Sequence, residues 1–389
     1  MKALAAAFII VLMFSALAVT VHVGIVKAVT EVTGIITSDT TWTKANSPYN
    51  LTGNIAIDKG VTLTIEPGVT VNLNDYYIRV NGTLTAKGTS ADNILFNGGS
   101  LEFTQLSSSW NEQTGTGNII ENSIINSLLA TGGGSPTIIN NKITESVTIG
   151  GNSPIISKNT IDITGSEWLS STIGVWIVEE NSAYISDNTI SGSFDTAAIQ
   201  IDGGSPTIER NRISNNYGHG SSQDYHQAGI LISSNASPII KQNTITKNAV
   251  GISLEGSPTP TIVNNNIEEN SNYNLRMKPG VQVDIAASNN WWGTTDIATI
   301  DEKIYDYNDD FNLGKVNYTP FLTEPNTQAV PDPNAPLPTT PAQTPSTSPT
   351  PTPSQEPQQT QIEEIAGVAI AAVVIGAGLG LLIYLIKRK

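Results

Sequence analysis

The chain has 389 residues, with 19 Lys and Arg against 34 Asp and Glu, a formal charge of -15 and a pI near 4.5. That acidity argues against nucleic acid and anionic lipid as partners. With no cysteine there is no disulfide framework, so the fold must hold itself together by core stacking.

Residues 1–28 begin with Lys2, continue as an apolar run from Ala3 to Val26, and close on small residues near Lys27-Ala28. This is the pattern of a secretory signal peptide cleaved after Ala28, although the length of the run leaves a retained N-terminal anchor as the alternative. Residues 29–116 read as the N-terminal cap and first coils of a solenoid. Apolar residues alternate at 53–57, 61–65, 69–73, 77–80 and 83–86, which predicts short strands, and Glu66-Pro67-Gly68 reads as a turn.

From 117 to 288 one short phrase recurs. Its clearest copies are Ser135-Pro136-Thr137-Ile138-Ile139-Asn140-Asn141-Lys142-Ile143 and Ser205-Pro206-Thr207-Ile208-Glu209-Arg210-Asn211-Arg212-Ile213. Each copy ends in Asn-x-Ile, which predicts an asparagine column of Asn122, Asn141, Asn159, Asn188, Asn211, Asn243 and Asn265. A period of roughly 20–30 residues means a solenoid, whose repeats bury their apolar faces only by stacking. Isoleucines two apart indicate strands, and a proline and an asparagine in every copy exclude a long helix. Asparagine tolerates the left-handed backbone of a sharp corner, and its amide can bond to the asparagine above and below. The predicted fold is all-β, a right-handed parallel β-helix with three strands per coil.

The longest intervals between copies insert loops at about 162–172 and 214–227, and insertions on one face of a solenoid often bind. The strands that follow place Val175/Ile177, Ile199/Ile201, Ile230/Ile232, Ile252/Leu254 and Leu275/Met277 inside. Trp176, Gln200, Leu231, Ser253 and Arg276 should then stack outside, with Asp202, Ser233, Glu255 and Lys278 as a second outward column. At about 4.8 Å per coil they would line a shallow groove roughly 20 Å long.

Residues 289–323 read as a C-terminal cap, with Trp291 and Trp292 covering the last coil. Residues 324–361, rich in Pro, Thr, Ser and Gln, read as an extended stalk. Residues 362–389 hold an uncharged apolar run, 365–386, ending in Lys387-Arg388-Lys389. That predicts a single-pass membrane anchor with an extracellular N-terminal domain and a short cytoplasmic tail. Gly376 and Gly380 form a GxxxG pair compatible with self-association in a surface layer.

Three blocks of residues carry a family resemblance across about 33–323. They are the repeat, the entry block from Thr40-Thr41-Trp42 through Ser47-Pro48-Tyr49 to Val69, and the exit block Asn289-Asn290-Trp291-Trp292-Gly293-Thr294. In these the chain resembles right-handed β-helix repeat proteins, related in fold to pectate lyases, polygalacturonases and NosD-type carbohydrate-binding and sugar-hydrolase domains. Gly218-His219-Gly220 and Arg276-Met277-Lys278 resemble polygalacturonase motifs, the second of which grips a uronate carboxylate. The resemblance therefore implies hydrolysis or lysis of uronate-containing glycans, with Asp202, His219 and Glu255 as catalytic candidates. The Asn-Thr-Asp and Asp-Asp motifs of that family are missing upstream of the histidine. Copper delivery, the NosD-type role, meets one methionine, two histidines and no cysteine after signal removal, a poor ligand set.

The expectation preferred on these residues is glycan binding or a structural surface role, with polysaccharide or glycan as partner. Trp168 and Trp176 would stack on sugar rings, while Gln200, Asp202, Glu255, Arg276 and Lys278 would bond to hydroxyls. No cofactor is expected. Asp306, Asp309 and Asp310 in the exit cap allow calcium but do not predict it.

Overall fold

The computed structural model describes residues 29–163, 173–179, 181–192, 197–216 and 228–338. The signal-peptide segment, Trp168, His219, residues 339–361 and the predicted anchor lie outside the described residues. No helix among the described residues is long and apolar enough to cross a membrane.

The described chain coils as parallel strands that pair from each turn to the next. In the repeat region each coil carries three strands, as in Thr207–Glu209, Arg212–Ser214 and Ala228–Ile232. The first strand of every coil joins a twelve-stranded sheet, and the second and third join the larger sheet. In-register pairing stacks like on like: Ile138, Ile156, Ile185, Ile208, Ile240 and Ile262 form one column of the core. All are essentially inaccessible, as are the five pairs expected inside on the third strand. Each isoleucine packs on a copy of itself 4.8 Å or so away, and full burial of such a side chain is worth about 1.5–3 kcal/mol.

The sharp corner after each first strand divides two tasks between neighbouring residues. The left-handed backbone falls on Asn140, Lys158, Asp187, Arg210, Gln242, Asn264 and Asn289, all with φ between 51° and 59°. The next residue supplies the buried amide. From Asn141 through Asn159, Asn188, Asn211, Asn243 and Asn265 to Asn290, each Nδ2 donates to the following Oδ1 at 2.9–3.1 Å. Asn122 does not belong to this ladder. Register aligns Ser123, not Asn122, with Asn141, and Asn122 takes the left-handed corner at φ 48°. Asn290 ends the ladder instead, with Trp292 standing where the repeat has isoleucine. A shorter second ladder, Asn216, Asn248 and Asn270, lines the turn between the second and third strands.

In the first coils the second and third strands merge into the long strands Thr70–Val80 and Ile94–Thr104 instead of the separate short ones expected. Bulges absorb the corner, with Asn74 (φ 55°) stacked on Gly98 (φ 66°) and Gly99 beside it. A Cβ on Gly99 would lie 2.0 Å from the Tyr76 carbonyl oxygen, so only glycine fits there.

At the far end Trp292 is buried over the last coil and meets Tyr318 edge-on at 6.3 Å. Trp291 lies to the side and donates its indole N–H to Glu268 (2.8 Å). Asp306 accepts backbone N–H bonds from Asn308 and Val316, and Asp309 accepts one from Asp306, so these two carboxylates shape the cap. No group of three or more metal-ligating side chains occurs among the described residues.

The reading of 324–361 as a stalk needs correction at its start, because residues 324–338 form a strap lying against the corners of the solenoid. Asn326 bonds to Asn264 and Asn266, Gln328 to Gln242, and the carbonyl of Ala329 accepts from Thr244. Further along, the backbone N–H of Asp332 donates to Asp187 (3.0 Å), and Lys158 Nζ donates to the carbonyl of Ala335 (2.7 Å). The composition is too polar to build a core but well supplied with carbonyls and amides for corner side chains to bind. Beneath the strap Arg210 forks onto Asp187 (2.8 and 3.0 Å) and reaches Glu209, which also accepts from the Tyr184 hydroxyl.

Burial, then the bond to Glu209, raises the Tyr184 phenol well above the ordinary tyrosine value near 10. Burial and Asp301 push Tyr318 up to about 12. Both folded-state phenols keep protons that the unfolded chain releases from about pH 10 upward. Their contribution to stability is therefore intact below about pH 10 and is lost as pH climbs through the raised folded values. Denaturant midpoints measured from pH 8 to 12 should fall at the alkaline end, and Tyr184→Phe should flatten that fall.

Candidate functional site

The third strands present one continuous outward column. Parallel register aligns Arg79, Glu102, Ala130, Thr148, Trp176, Gln200, Leu231, Ser253, Arg276 and Tyr305 on successive coils. Trp176, Gln200 and Arg276 are half-buried on this face. Leu231 and Ser253 are not part of an open groove, being 3% and 0% exposed. Leu231 joins Ala197, Ala228 and Val250 in an apolar cluster separate from the core, with Tyr273 packed against it. An apolar residue on an outward position buries itself when neighbours of its own kind are in reach, so the predicted groove is interrupted at its centre.

Asp202 is the hub on the N-terminal side of that interruption. It accepts the indole N–H of Trp176 at 2.6 Å, the amide of Gln200 at 2.9 and 3.1 Å, and the hydroxyl of Ser233. These donors come from three successive coils, and they hold the tryptophan ring in one orientation. Its carboxylate is thus occupied as an anchor, leaving little lone-pair capacity for water or substrate.

On the other side the basic residues are already engaged. Lys278 pairs with Glu255 at 3.1 Å, and the Arg276 guanidinium lies 6.0 and 5.7 Å from the rings of Tyr273 and Tyr305. Those two rings meet edge-on at 5.5 Å, which fixes the arginine between aromatic neighbours. Glu255 lies two coils from Asp202, and its exposed carboxylate faces Lys278. No described contact brings Asp202 and Glu255 together.

A family model described as right handed beta helix region matches residues 105–267 and 221–292. Those matches and the parallel coiled sheets together fit a right-handed β-helix. No curated protein and no solved structure matches the chain.

Proposed function

We propose that this protein binds polysaccharide or glycan at a cell surface through the outward face around Trp176, without cleaving it. The observation that supports this reading is the Trp176–Asp202–Gln200–Ser233 network, which holds an aromatic ring rigidly at a polar surface. A ring fixed before binding loses little entropy when a sugar stacks on it, and the surrounding amide and hydroxyl groups suit sugar hydroxyls. Cleavage by the polygalacturonase-like route would need a carboxylate free to pass a proton and another to activate water. Asp202 is filled by donors and Glu255 is tied to Lys278, so the two candidates are better placed as anchors. In this proposal residues 1–28 direct export and 365–386 hold the protein in the membrane, with the solenoid outside.

The test is a glycan array probed with the purified protein, with reducing-end release assayed on every binder. Binding without release is expected, and Trp176→Ala should weaken it about tenfold or more, the loss typical of a stacked aromatic anchor. Release of reducing ends that disappears in Asp202→Asn or His219→Ala would replace this reading with a hydrolase.

A further inference from the structure

We infer that Asn235 is a modification site, the acceptor of an N-linked oligosaccharide at the tip of a corner beside the Trp176 face; the inference rests on the export reading above and not on what that face binds. Four asparagines stand in Asn-x-Ser/Thr triplets: Asn50, Asn81, Asn235 and Asn317. A folded, exported chain offers such a triplet to a transferring enzyme only where the asparagine is exposed and the backbone can bend. The fold separates the four.

Asn50 and Asn81 are half-buried, and their amide oxygens are engaged. Asn50 Oδ1 accepts from Asn72 at 2.7 Å, the first rung of a polar ladder that continues through Asn97 and Asn126. Asn81 Oδ1 accepts from the Thr104 hydroxyl at 2.9 Å, and Thr83, two residues on, donates its own hydroxyl to Ser108 at 2.9 Å. Asn317 is exposed, but it lies in the strand Val316–Asn317, paired with Ile285–Ala286, and its carbonyl accepts from Ala287 at 3.0 Å. The hydroxyl of Tyr318 pins the next residue to Asp301 at 2.6 Å. A paired strand holds the asparagine away from the Asx-turn geometry that brings its side chain round to the residue two positions on.

Asn235 differs on each count. It is exposed in the turn that carries the chain from the third strand Ala228–Ile232 to the first strand of the next coil, Ile239–Lys241. Ser234 takes left-handed backbone at φ 58°, and the Ala236 N–H closes the turn on the Ser233 carbonyl at 3.3 Å. Small residues form the corners on both adjacent coils, Gly203-Gly204-Ser205 and Gly256-Ser257, which leaves room around the tip. Among the described residues no hydrogen bond engages the Asn235 side chain. The hydroxyl of Ser237, two residues on, shares a bond with the exposed Thr259 hydroxyl at 2.6 Å, a surface pairing that water can replace.

The modification is a transfer from a lipid-phosphate-linked oligosaccharide. Asn235 Nδ2 bonds to the anomeric carbon, the bond from that carbon to the phosphate oxygen breaks, and the lipid phosphate leaves. One amide proton passes to the transferring enzyme. The attached sugar also reaches Ile239, which points outward on the following strand with its side chain 43% exposed. Four residues span at most about 14 Å, a distance within the length of a short oligosaccharide, and covering that apolar side chain is favourable.

The test is peptide mapping by mass spectrometry of the full-length protein isolated from the membranes of the cells that make it, with protease shaving of intact cells as the control for export. The Asn235 peptide should carry a saccharide mass increment in most copies, and the Asn50, Asn81 and Asn317 peptides should keep their unmodified masses. Asn235→Gln and Ser237→Ala should each abolish the increment and Ser237→Thr should retain it, a pattern that follows the acceptor triplet and not the stability of the turn. A bare Asn235 on protein that shaving removes from the cell surface would overturn the inference and leave export standing. A bare Asn235 on protein that shaving does not reach removes both. A saccharide on Asn50, Asn81 or Asn317 instead, or an increment at Asn235 that survives Ser237→Ala, also sinks the proposal.

Discussion

Asn211→Ala should lower the unfolding free energy by about 3–5 kcal/mol, far more than an exposed asparagine such as Asn308, whose replacement should stay within about 0.5 kcal/mol. The difference follows from what Asn211 leaves behind. Its Nδ2 donates to the Ile185 carbonyl (2.8 Å) and to Asn243 Oδ1 (3.0 Å), and its Oδ1 accepts from both the backbone and side-chain N–H of Asn188 (2.9 Å each). All of these groups are buried, so alanine strands donors and acceptors on both adjacent coils at about 1–3 kcal/mol each. Asn211→Asp is a sharper probe. It keeps the acceptor but turns the donor into an oxygen facing a carbonyl and an amide oxygen, and should be at least as damaging as alanine. Chemical denaturation of the three variants decides it; a loss below about 1 kcal/mol for Asn211→Ala would mean the ladder is ornamental.

A comparable loss, about 3–5 kcal/mol, is expected from Arg210→Met, because removing one partner leaves buried charge uncompensated. Asp187 and Glu209 have side chains only 2% and 7% exposed, and Arg210 itself is 19% exposed. The second carboxylate keeps Lys241 at 3.3 Å, but Asp187 loses its forked partner entirely. Arg210→Lys should recover only part of the loss, since an ammonium cannot make the two parallel bonds of a guanidinium. The cluster also holds the strap, through the bond from Asp332 to Asp187. Arg210→Met should therefore expose 324–338 to limited proteolysis at protease levels that spare the wild type. Unchanged protection together with unchanged stability would separate the strap from the cluster.

Much of this architecture is legible in the sequence. Alternation in 174–178, 198–202 and 229–233 assigned inside and outside correctly, because side-chain direction along a strand is a local property of period two. The column of outward residues followed from the same rule. What happens to that column did not: Leu231 is apolar and solvent-facing by parity, yet buried, since its neighbours are Ala228 and Val250 from other parts of the chain. Asp202 looked like a free carboxylate because nothing local shows that Trp176 and Ser233 point their donors at it.

By itself the sequence determined that this is a parallel all-β solenoid and which residues of its repeats face the core. Like residues recur at like positions, and parallel stacking in register is the arrangement that lets each bury its apolar face on its own copy. Tertiary structure alone decided which of two neighbouring corner residues supplies the amide ladder, as Asn122 and Ser123 show. It also decided that 324–338 folds back onto the corners, through bonds between residues 145 and 177 positions apart. Such contacts depend on the register of distant coils and on the path of the chain after the last one, and no local pattern of hydrophobicity or turn residues encodes either.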